Sequence, residues 1–67
     1  MDRIEAKREL SRLIHSYVID IEKRDELLEI VKEKDFPPVK GIINAIGETY
    51  FSERDSKIID ELFFYYG

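Results

Sequence analysis

His15 stands beside Ser16, and carboxylates gather in two runs: Glu22, Asp25, Glu26 and Glu29, then Asp55, Asp60 and Glu61. An imidazole next to a hydroxyl suggests a base with its nucleophile, and grouped carboxylates suggest acid–base work or a Mg²⁺ site. Neither reading survives the spacing. Consecutive residues on a helix are turned roughly 100° apart and do not face each other, so His15 cannot activate Ser16. The carboxylate runs read as solvated faces, and a chain this short has little room for an enclosed pocket. With no cysteine and a single histidine, a Cys/His metal set is excluded. Catalysis, a metal, a cofactor and a small-molecule ligand are therefore not expected.

The remaining chemistry is recognition. Residues 61–67 read ELFFYYG, four aromatics in succession. On a helix Phe63, Phe64, Tyr65 and Tyr66 point nearly all round the axis, more than a small core can cover. Leu62, Phe63 and Tyr66 continue an apolar face, whereas Phe64 and Tyr65 fall off it. Adjacent exposed aromatics mark partner surfaces. The expected partner-binding set is Ile59, Leu62, Phe63, Phe64, Tyr65 and Tyr66.

Nucleic acid is a poor fit as that partner. KGIINAIGETYF, residues 40–51, has the prolines before it and the glycines within it of a helix-turn-helix, but the last helix would bring Asp55, Asp60 and Glu61 against Arg54 and Lys57. A recognition helix needs Arg, Lys, Asn or Gln toward base edges. The net charge is −4, and residues 25–67 hold ten acids against five bases. Such a surface repels phosphate. Arg3, Lys7, Arg8 and Arg12 are interleaved with acids and read as a mixed solvated face.

The elements that must position the tail follow from periodicity. From Asp2 to about Arg24, Ala6, Leu10, Leu13, Ile14, Tyr17, Val18 and Ile21 recur at helical spacing, with Glu5–Arg8, Glu9–Arg12 and Asp20 with Lys23 and Arg24 as acid-before-base pairs on the other side. YVIDI, residues 17–21, is rich in β-branched residues, but it keeps the helical phase and is read as helix. Leu27, Leu28, Ile30 and Val31 form a further apolar group, and Asp25 either caps a second helix or rides on a continuing one. Pro37 and Pro38 end that segment near Asp35 or Phe36 and suit the first turn of a new helix. Val39, Ile42, Ile43 and Ile46 give it a face, with Gly47 as its C-cap. Ser52 and Asp55 have N-cap chemistry before Ile58, Ile59, Leu62, Phe63 and Tyr66.

Sixty-seven residues make a single domain whose core only just outweighs chain entropy. The fold class is all-α, a small bundle of three or four short helices around Leu10, Leu13, Ile14, Tyr17, Val18, Ile42, Ile43, Ile46, Ile58, Ile59 and Leu62. A charged N-terminus and no long apolar run predict a soluble, unprocessed, cytoplasmic protein without a membrane partner. Charged residues are 39% of the chain and glutamine is absent, a bias of hyperthermophile proteins.

SKIIDELFFYY, residues 56–66, resembles a degenerate PIP box, the peptide by which replication proteins dock on the DNA sliding clamp, proliferating cell nuclear antigen (PCNA). That pattern is Gln, two residues, an aliphatic, two residues and an aromatic pair. Ser56 stands at the glutamine, Ile59 at the aliphatic, and Leu62 and Phe63 at the aromatic pair; Ser56 and Leu62 depart from it. Shifting to Phe63 and Phe64 puts Asp60 at the aliphatic position. NAIGETYF, residues 44–51, matches with Tyr50 and Phe51 but has Gly47 at the aliphatic. In size, acidity and this motif the chain is similar to the small Thermococcales inhibitors of the archaeal sliding clamp. The resemblance implies a non-enzymatic regulator occupying the clamp's peptide pocket. Two other classes stay open: a small helical DNA-binding or transcription regulator, and a helical interaction domain of a larger assembly.

Overall fold

The computed structural model describes residues 1–48 and 50–67, and all its regular structure is helical: α1 Arg3–Tyr17, α2 Ile21–Glu33, α3 Val39–Ile46 and α4 Glu53–Tyr66. Asp2 starts α1 by accepting the Glu5 N–H at 2.7 Å, which satisfies one of the free donors of the first turn. The periodic residues Ala6, Leu10, Leu13 and Ile14 then form its buried stripe.

The expected helix through Arg24 does not form. Val18 turns extended (φ −98°, ψ 113°), its N–H closing the last turn on the Ile14 carbonyl, and Asp20 starts a second helix by accepting the Lys23 N–H. YVIDI is thus a corner, and Asp20, not Asp25, is the cap. Two adjacent β-branched residues before an aspartate favour this exit over helix continuation. The corner buries Val18 and leaves Ile19 and Ile21 exposed.

Beyond Glu33 the chain enters the proline pair. Pro38, at φ −83° and ψ 65°, sits at the centre of an inverse γ-turn in which the Val39 N–H reaches the Pro37 carbonyl at 2.9 Å. The prolines therefore precede α3 instead of occupying its first turn, and Pro37 is wholly buried. Gly47, in the left-handed region at φ 68°, ends α3 as expected. Ser52 begins α4 by accepting the Asp55 N–H at 3.1 Å.

Central α1 packs against each of the other helices, and α3 touches both α2 and α4. Their shared core holds Leu10, Leu13, Ile14, Ile42 and Leu62, with Leu27, Val31, Val39, Ile46 and Ile59 around them. Tyr17, Ile43 and Ile58, expected in the core, are half-buried at its margin. Leu27, Val31 and Val39 are core residues that periodicity grouped without ranking. Along its principal axes the bundle measures 28 × 28 × 15 Å, with a radius of gyration of 10.8 Å, close to the about 11 Å expected of a compact chain of this length.

Candidate functional site

Placement of the tail depends on how α4 is fixed. At its first turn Asp55 is buried and its carboxylate is shared: the Arg12 guanidinium donates to Oδ1 at 2.8 Å and the Tyr17 hydroxyl donates to Oδ2 at 2.6 Å. That hydroxyl also accepts the Ser52 N–H at 3.2 Å, and the Tyr17 ring meets Phe51 edge-on at 4.7 Å. Arg12 reaches Glu9 as well, at 3.3 Å, the intrahelical pair expected from spacing. The Tyr17 hydrogen bond, with Arg12 behind it, overcomes desolvation and holds the Asp55 carboxyl below its ordinary range. For Arg12, burial opposes the charge, and its bonds to Asp55 and Glu9 more than offset this, raising its pKa. Both oxygens of Asp55 are thus occupied by neighbours in the fold, which makes this a structural tie. Asp55 was grouped with Asp60 and Glu61 by sequence; the fold separates it from them.

At the other end of α4, the Tyr66 hydroxyl donates to the Met1 carbonyl at 2.8 Å, and its ring meets Phe36 edge-on at 5.5 Å. The helix α4 is thus tied at both ends, and the aromatic tail lies at the end tied through Tyr66. Of the six expected binding residues, Ile59 and Leu62 are buried in the core, and Tyr66 is half-buried in the contacts just described. The anchor of Ile59, Leu62 and Phe63 is therefore not presented by this fold: two of its three prongs are consumed by the protein's own packing. Phe63 lies at the rim, 37% exposed, while Phe64 and Tyr65 are 82% and 53% exposed. These two rings pack edge-on to each other at 5.0 Å and 89°. The second motif-like stretch, residues 44–51, spends Gly47 on the α3 cap and Phe51 on Tyr17; its Thr49 lies outside the described residues.

Phe64 and Tyr65 border an open groove of about 530 Å³ with Asp60 and Glu61 on α4, Glu5 in the first turn of α1 and Met1 just before it. The surface is aromatic and acidic together, suited to apolar groups accompanied by cations. Glu5 was unforeseen here, because nothing local reveals that α1 begins where α4 ends. A second groove, of about 500 Å³, runs between α1 and α2 beside Ile4, Arg8, His15 and Lys32. Ile4 is 72% exposed and lies off the stripe of Ala6 and Leu10, the one sequence signal that could have flagged it. Lys7 caps the end of α2 across this seam, donating to the Lys32 carbonyl at 3.2 Å. His15 and Ser16 are exposed at the end of α1.

Among the described residues, no group of His, Cys, Asp and Glu is arranged to hold a metal, and no helix is long and apolar enough to cross a membrane. No known protein family, curated protein or solved structure matches the chain significantly, so its own geometry carries the functional reading.

Proposed function

We propose that this protein is a non-enzymatic regulator that works by seating a protein partner on the acidic, aromatic edge of α4. The observation that carries the reading is the exposure of Phe64 and Tyr65 on a helix fixed at both ends. Rigid aromatics lose little entropy on binding, and such residues dominate interface energetics. Asp60, Glu61 and Glu5 beside them select a partner with a basic rim and disfavour DNA.

The specific partner proposed is the archaeal DNA sliding clamp suggested by the motif resemblance, engaged through Phe63, Phe64 and Tyr65 in place of Ile59 and Leu62. Calorimetric titration of the clamp with wild type and with Phe64→Ala/Tyr65→Ala tests it, circular dichroism confirming that both are folded. The double variant is expected to bind at least about tenfold more weakly, the loss typical of removing interface hot spots. No binding by wild type eliminates the clamp; equal binding by both eliminates the tail as the contact surface.

A further inference from the structure

We propose that two copies of this chain pair reciprocally, each inserting Phe64 into the other's groove between α1 and α2. The inference goes beyond the partner reading and does not depend on the clamp. Its basis is the complementarity of the two grooves. Phe64 projects from α4 with Asp60 and Glu61 beside it and Glu5 across the groove, an aromatic knob in an acidic setting. The α1–α2 groove is the opposite arrangement, with Leu28 and Val31 as an apolar floor, Ile4 at its edge and Arg8, His15 and Lys32 around the rim. A ring entering that floor would bury Ile4, which this fold leaves exposed, while the acids beside Phe64 meet the basic rim.

Both grooves flank the first two turns of α1, Glu5 lining one and Ile4 and Arg8 the other. A two-fold rotation beside those turns makes the contact mutual, and a mutual contact closes at two copies. Because the chain's net charge of −4 opposes general association, pairing depends on these local charges and weakens as salt rises. It also occupies Phe64, so a paired chain cannot simultaneously present that ring to another protein.

Sedimentation equilibrium of the full chain tests the pairing, using wild type, Arg8→Glu/Lys32→Glu, Asp60→Lys/Glu61→Lys and Phe64→Ala, each checked for helicity. Wild type is expected to reach a dimer, and each charge reversal to weaken self-association by about a hundredfold, because it juxtaposes like charges. An equimolar mixture of the two reversals should recover a one-to-one pair, since each then carries the charge the other lacks. Phe64→Ala should be monomeric and fully folded. A wild type that stays monomeric from micromolar to millimolar concentration overturns the inference and leaves the proposed partner binding standing. Folded reversals that self-associate as wild type does, or that fail to combine on mixing, overturn it equally.

Discussion

Replacing Asp55 with alanine should be among the most damaging single changes in this protein. The substitution removes the acceptor of the Arg12 contact at 2.8 Å and the Tyr17 contact at 2.6 Å. It also leaves a guanidinium whose Nε is already buried without a partner. Breaking a buried ion pair costs about 3–5 kcal/mol. The Arg12 side chain is 31% exposed and keeps Glu9, so the lower end of that range, about 3 kcal/mol, applies. A domain of this length has a total stability of about 3–10 kcal/mol, and a loss of about 3 kcal/mol should lower its melting temperature by about 12–24 °C. Tyr17→Phe removes only the hydroxyl and should cost about 2 kcal/mol, since that hydrogen bond is charge-assisted and Ser52 N–H loses its acceptor too. The pH dependence gives an independent check. Folding lowers the Asp55 pKa, so the unfolded chain binds its proton more readily; the stabilisation is complete above the ordinary carboxylate range and is lost as pH falls through the depressed value. Urea unfolding of wild type and Asp55→Ala from pH 7 to about pH 2 should show their gap closing in acid. A loss below about 1 kcal/mol at neutral pH, or a gap unchanged in acid, would refute this reasoning, because a buried paired carboxylate cannot behave so.

Other perturbations separate core from surface. Leu62→Ala should cost about 2–5 kcal/mol in thermal or urea unfolding, whereas Phe64→Ala should stay within about 0.5 kcal/mol of wild type, although both lie in the same aromatic stretch. Gly47→Ala should destabilise by about 1–2 kcal/mol through its left-handed backbone alone, since a Cβ there meets nothing closer than 3.9 Å; an unchanged melting temperature would mean that α3 ends differently. Asp20→Ala should cost about 1 kcal/mol by uncapping α2, read out as loss of amide-exchange protection in its first turn.

Much of the architecture was legible because the local rules agreed. The stripe of Ala6, Leu10, Leu13 and Ile14, the proline boundary, the Gly47 cap and the Ser52 cap each combine a hydrophobic period with an end signal. The Val18–Asp20 corner was not, because its apolar residues preserve the helical phase while the backbone leaves it. Asp55 was misplaced for a different reason. Arg12 and Tyr17 are 43 and 38 residues away from it, and a charge run gives no sign of which acid a distant helix will claim. In the tail, phase alone separated Phe64 and Tyr65 from the apolar face, and both are exposed. The same phase places Ile59 and Leu62 in the core while the motif resemblance claims them for a partner, and both are buried in the core.

The hydrogen bond from Tyr66 to the Met1 carbonyl brings the start of α1 and the end of α4 to one place. Tension applied at the two ends would therefore load that contact first and then peel α4 from α1 turn by turn. Peeling breaks contacts in sequence, whereas sliding two strands past each other loads them together, so this bundle should be mechanically soft along its own chain axis even where it is thermally firm. Polypeptide joined before Met1 or after Gly67 would leave from beside Phe64 and Tyr65. A short linker between the ends would close the chain into a ring with little displacement, and would turn the softest direction of the molecule into one with no free end to pull.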